Sequence, residues 1–153
     1  MNPLFRDILA AFSAENVEFL VVGAYSLGAH GLVRATKDID ILVRPTRENA
    51  ERVWRGLLRF GAPLSSMSVD DFANPDNIFR MGRPPNRIEI LMSISGVTFE
   101  DAWANRQGFD VEGVKVFVPS ARDLITNKRA SGRPKDLLDA DWLERHKLGG
   151  SKQ

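Results

Sequence analysis

Three carboxylates stand where apolar side chains would be expected. Asp38 and Asp40 alternate with Ile39 and Ile41 in DIDILV, and Glu89 lies between Ile88 and Ile90 in RIEIL. In an extended strand, residues i and i+2 project to one side about 7 Å apart, so Asp38 and Asp40 share a face and the isoleucines fill the other. Two carboxylates drawn to roughly 4 Å repel by about 4 kcal/mol at an effective dielectric near 20, so positive charge is needed between them. Arg34 and Lys37 are close enough in sequence to supply it at a solvated strand edge. A divalent cation held by side-chain oxygens is the other solution, and hard-ion chemistry favours it. Glu89 repeats the apolar-acid-apolar pattern on a separate strand. Three such carboxylates could hold two magnesium ions, or manganese in their place, about 3.5–4 Å apart. Such a cluster serves phosphoryl chemistry: an ion lowers the pKa of an attacking hydroxyl, and both neutralise phosphate charge as the leaving group departs in line.

The elements that must position these acids follow from periodicity and punctuation. NPLFRDILAAFSAENV carries a cap at Asn2, a first-turn Pro3 and a helical stripe of Leu4, Ile8, Leu9 and Phe12. VEFLVVG is a strand closed by Gly23, and AYSLGAHG is a short helix that ends at Gly28 and Gly31. DIDILV is the next strand, stopped by Arg44-Pro45, and a helix runs from a Thr46 cap through Val53, Trp54, Leu57 and Leu58 to Gly61. APLSSMSVDDFANPDN has no sustained periodicity, which predicts a long loop or mobile flap. IFRMG and RIEILMSISG pair as an antiparallel hairpin across RPPN. TFEDAWANR predicts a short helix and VKVFVP a strand. SARDLITNKRASG predicts a helix capped by Ser120 with Asp123 three residues later, and PKDLLDADWLERH a last helix from Pro134.

Composition bounds the answer. The 153 residues are 43% apolar and 27% charged, which fits one domain with a modest core. We place that domain at residues 1–146, with 147–153 as a flexible tail. Lysine and arginine number 21 against 20 acidic residues, a net charge of +1, so there is no global signal for nucleic acid or an anionic membrane. There is no cysteine, no leader-like start and no apolar run long enough for a membrane span, from which a cytoplasmic protein without disulfides or thiol-bound metal is expected.

VGAYSLGAHGLVRATKDIDIL followed by IEI resembles the nucleotidyltransferase superfamily of DNA polymerase β type. Within it, the likeness is to small bacterial members related to AbiEii-like toxins and to minimal nucleotidyltransferases. LITNKRASGRPKDLLDADWL resembles the end of those domains, so the likeness covers most of residues 17–143. The resemblance implies an α/β (α+β) fold, a small mixed twisted sheet flanked by helices. By the same resemblance Asp38 and Asp40 bind magnesium, Glu89 completes the site and helps activate the acceptor, and Gly23 lets backbone amides approach the triphosphate. Two departures stand out. Ala24 occupies a position where many members carry glycine or serine, with Ser26 two residues on as a substitute hydroxyl, and the third acid is glutamate where aspartate is common.

Local charge supplies the other nucleotide-binding candidates. Lys128, Arg129, Arg133 and Lys135 straddle a Ser-Gly turn where two helices meet; Lys128 with Arg133 or Lys135 could face a triphosphate, with Asp136 orienting one of them. Arg34 and Thr36, just before the acid pair, could also touch phosphate or simply support the turn. His30 is expected to be structural, a cation at a helix end. His146 reads as surface, and Trp54, Trp103 and Trp142 as core packing. The expected partners are a nucleoside triphosphate, a hydroxyl acceptor (small molecule, protein or tRNA), and an antitoxin-like protein if the toxin resemblance extends to function. Two rival expectations are a non-catalytic nucleotide-binding or interaction module and a phosphotransferase that moves the terminal phosphate.

Overall fold

The computed structural model describes residues 1–34, 36, 38–83 and 86–148. Lys37, Pro84 and Pro85 of the expected turn, and residues 149–153 of the expected tail lie outside the described residues.

The described residues form six strands and six α-helices. Helix α1 (Pro3–Ala14) begins as the cap predicts: Asn2 Oδ1 accepts from Leu4 N at 2.8 Å. Its buried face is Phe5, Ile8, Leu9, Ala11 and Phe12, whereas Leu4 is exposed, so the apolar stripe passes through Phe5 instead of Leu4. Strand β1 (Phe19–Val22) leads into the short helix α2 (Ala24–Ala29), which runs through Gly28 and ends at His30. Strand β2 (Asp38–Val43) is followed by helix α3 (Arg47–Phe60), capped by Thr46 and closed by Gly61 in the left-handed conformation. Strands β3 (Ile78–Met81) and β4 (Arg87–Leu91) form the expected antiparallel hairpin.

The main sheet has the order β1-β2-β4-β3, with β2 antiparallel to β1 and parallel to β4. One face is fully apolar. Ile39, Ile41, Val43, Ile88 and Ile90 point into the core and pack with Phe5, Ile8, Leu9 and Phe12 of α1 and Val53 and Leu57 of α3. Leu20, Val22, Leu42 and Leu91 lie on the opposite face, where helix α4 (Phe99–Ala104) covers them with Phe99 and Ala102. The alternation of side chains puts Asp38, Asp40 and Glu89 on that second face. That face is therefore half apolar and half acidic.

Three expectations change. Residues 62–77 are the expected long loop but not a flap: a 3-10 turn over Val69–Ala73, closed by a Ser68–Asp71 capping box, drives Phe72 completely into the core, where it meets Trp54 and Phe79 edge-on. A strand absent from the sequence reading, β5 (Gln107–Val111), pairs with β6 (Val114–Val118) in a separate two-stranded sheet. The chain also stays structured past residue 146. Helix α5 (Ala121–Ser131) and helix α6 (Pro134–Leu143) are followed by a π-type turn over Glu144–Leu148, and Leu148 packs against the Leu124–Leu143 cluster.

The three tryptophans pack on the rims of the apolar clusters, each partly exposed. His146 is on the surface, stacked on Trp142. His30 is structural, but not as a dipole-favoured cation. It is buried, its Nε2 lies 2.8 Å from Pro119 O, and burial, with the nearby Lys147 charge, holds its pKa below the ordinary value despite that hydrogen bond.

Candidate active site

The parallel register sets Asp40 directly beside Glu89, and the antiparallel register sets Arg80 on the other side of Glu89. Arg80 Nε donates to Glu89 Oε1 at 3.0 Å. The Asp40 and Glu89 carboxyls are neighbours on one face, and Asp38 stands one pleat away on the same face. Burial, then the Glu89 and Asp38 carboxylates, push the Asp40 carboxyl up to about 6, against a weaker opposing pull from the Lys128 ammonium. Among the described residues, no cation forms an ion pair with Asp38 or Asp40, and no three such groups converge as a closed metal centre. The site is a facing pair with a third acid at its flank. At the start of β2, Thr36 Oγ1 accepts from Asp38 N at 3.0 Å and donates to Asp38 O at 3.2 Å, which fixes where the strand begins.

Gly23 has a positive φ of 69°, and a Cβ there would collide with the Asp40 carboxylate oxygen. Only glycine lets the chain pass this close over the acid. Ala24 lines the neighbouring cleft. Ser26 does not: it is fully buried, and its Oγ donates to Gly23 O at 2.7 Å. Its hydroxyl therefore secures the first turn of α2 and is not presented to a phosphate.

Helices α5 and α6 close the other wall. Lys128 Nζ lies 3.3 Å from Asp136 Oδ1 and 3.9 Å from Asp139 Oδ2, and Arg34 binds Asp139 through both of its terminal nitrogens. Asp136 Oδ2 accepts from Arg133 Nε at 2.9 Å and from Ser131 Oγ at 2.5 Å. Burial opposes ionisation of Asp136, yet the Ser131 bond, the Lys128 charge and the Arg133 bond outweigh it and hold the carboxyl below its ordinary value. Lys128, Arg133, Lys135, Arg34 and Thr36 line one cleft of about 310 Å³. Arg129 leaves this group and pairs with Glu144 and Asp141.

Four participants were not singled out by sequence: Asp139, Arg80, Tyr25 and Asn86. Asp139 carried a signal. In α6 the aspartates at 136 and 139 fall on the stripe of Ala140 and Leu143, while Leu137 and Leu138 face solvent, the reverse of an ordinary amphipathic helix. Tyr25 and Asn86 border a second cavity of about 480 Å³ that shares Arg34 and Thr36 with the cationic cleft.

Residues 3–150 match the family described as "Nucleotidyltransferase of unknown function (DUF6036)". The chain belongs to this family. This nucleotidyltransferase also superposes on a crystal structure of a candidate nucleotidyltransferase from Thermotoga maritima, with a TM-score of 0.57 and 19% identity over 92% of this chain and 88% of that one. The likeness is one of fold, and it bears out the mixed sheet flanked by helices. No curated protein matches the nucleotidyltransferase. Among its described residues no helix is long and apolar enough to cross a membrane.

Proposed function

We propose that the protein transfers a nucleoside monophosphate from a nucleoside triphosphate to a hydroxyl, with release of pyrophosphate, in the manner of a minimal nucleotidyltransferase of DNA polymerase β type. One observation carries this reading: Asp40 and Glu89 are register partners and, among the described residues, no cation forms an ion pair with Asp40, while Asp136 and Asp139 beyond Lys128 are each paired. An all-oxygen donor set with excess negative charge suits magnesium, with manganese as the substitute, and Asp38, Asp40 and Glu89 are the residues that would hold it. A bound divalent cation supplies neutralisation of phosphate charge and a lowered pKa for the attacking hydroxyl.

The chain's own groups do the rest. Lys128, Arg133 and Lys135 meet the triphosphate oxygens, and Asp136 and Asp139 hold Lys128 extended toward Asp40. Gly23 keeps the backbone low enough for Asp40 to stay in line with Glu89. Glu89, steadied by Arg80, takes the proton from the acceptor hydroxyl, which enters from the Arg80 side.

The test is incubation with magnesium, each of the four nucleoside triphosphates, and small-molecule alcohols, protein or tRNA as acceptors, reading the phosphate product. Pyrophosphate that disappears in Asp38→Asn/Asp40→Asn supports the reading. A nucleoside diphosphate product would identify a phosphotransferase. Nucleotide binding without any product would make this a binding module, the alternative that Ala24 and the buried Ser26 favour.

A further inference from the structure

We infer that the cavity between Tyr25 and Asn86 is the nucleobase pocket, an inference that rests on the nucleotidyltransferase reading above. Two cavities meet at Arg34 and Thr36, and their chemistry differs. The smaller carries Lys128, Arg133 and Lys135, which suits a polyanion. The larger, about 480 Å³, offers the half-buried ring of Tyr25, backed by the buried Phe5, and the amides of Asn2 and Asn86. Its cations are already engaged: Arg34 by Asp139 and the Met1 amine by Glu112. A flat neutral group with a polar edge fits such walls, and a phosphate does not.

The register also separates this cavity from the acceptor. Asp38 lies opposite Arg87, next to Asn86, whereas Glu89 and Arg80 are further along the strands and do not line the cavity. A group seated there therefore lies at the Asp38 end of the acidic strand pair, and the Glu89 end is left for the acceptor. Tyr25 is held edge-on by Phe5, with ring centroids 6.0 Å apart and planes at 89°, and burial pushes its phenol above the ordinary value, so it is neutral. Its hydroxyl has no partner among the described residues.

A chain of hydrogen bonds fixes the polar edge. Asn2 Oδ1 is taken by Leu4 N, so Asn2 turns its Nδ2 to Asn86 Oδ1 at 2.5 Å. Among the described residues Asn86 Nδ2 has no acceptor, so the base would offer it one, a ring nitrogen or a carbonyl oxygen.

The experiment compares magnesium-dependent binding of the four nucleoside triphosphates with binding of magnesium tripolyphosphate, by calorimetry. The native protein, Tyr25→Ala, Asn86→Ala, Asn86→Asp and Asp38→Asn/Asp40→Asn are compared, with thermal melts as the check on folding. We expect Tyr25→Ala and Asn86→Ala each to weaken the tightest triphosphate about tenfold or more, as loss of one stacked or bonded base does, and to leave tripolyphosphate within about twofold. Asn86→Asp, which swaps the donor for an acceptor, should be worse than Asn86→Ala. If Tyr25→Ala unfolds, the two Asn86 variants carry the comparison. Native-like triphosphate binding in the Asn86 variants, or equal losses for triphosphate and tripolyphosphate, would overturn the pocket while leaving the acidic site standing if its double variant still abolishes binding. No binding by the native protein would overturn both.

Discussion

Two pairs of carboxylates lie on either side of Lys128, and the protein treats them oppositely. Asp136 and Asp139 are surrounded by Lys128, Arg34, Arg133 and Ser131, and the Asp136 carboxyl is held below its ordinary value. Asp40 has Glu89 and Asp38 for neighbours, and its carboxyl is pushed up to about 6. The first pair is a finished piece of structure. In the second, Arg80 pairs with Glu89 and Lys128 pulls only weakly on Asp40, so among the described residues Asp40 has no ion-pair partner, the setting in which an external cation would relieve the charge. The same side-chain chemistry thus separates a scaffold from a site by the company it keeps.

The comparison can be broken by moving charge on either side. The largest effect is expected from Asp38→Asn/Asp40→Asn: turnover should fall by on the order of a thousandfold or more, measured as pyrophosphate release, because the cation's contribution is worth several kcal/mol. Next comes Asp139→Ala, which strips the buried partner from Arg34 and Lys128. It should cost about 3 kcal/mol in urea unfolding, with no comparable effect from any exposed acid. Asp40→Asn alone should do the opposite. A carboxyl raised to about 6 contributes stability below its ordinary value and loses it as pH rises through about 6, so the metal-free native protein weakens over that window and the asparagine variant does not. By pH 8 the variant should be the more stable by about 1 kcal/mol or more, read as a higher Tm. The smallest effect belongs to His30. Its pKa is held below the ordinary 6.5, so the unfolded chain takes the proton first and stability falls as pH drops below that value. His30→Asn should flatten the slope of Tm against pH between about 7 and 5.5, whatever it does to the Tm itself.

The acidic half of the site was legible because strand period and burial leave few options. DID and IEI on apolar strands force their acids to one face, and parallel pairing of β2 with β4 then brings Asp40 and Glu89 into register. Helix α3 was legible from its caps, Thr46 and Gly61. What escaped the sequence depends on distant contacts. Burial of Asp139 is explained by Arg34, 105 residues away, and the exposed Leu137 and Leu138 hide the true stripe of α6. Val69–Ala73 is closed by its Ser68–Asp71 capping box and buries one ring, Phe72, too sparse a signal for periodicity. Strand β5 is exposed along almost its whole length, so it carries no alternation to read. Ser26 was misjudged because the first turn of α2 points its hydroxyl back to Gly23 O.

The most direct test of the central claim is divalent-cation binding, followed by the water-proton relaxation of Mn²⁺ at pH 7.5 in the native protein, Asp40→Asn and Asp136→Asn. Binding is expected in the native protein and in Asp136→Asn, and its loss in Asp40→Asn, because among the described residues Asp40 has no ion-pair partner whereas Asp136 has Lys128 and Arg133. Equal affinity in all three proteins, or equal loss in both variants, would contradict it.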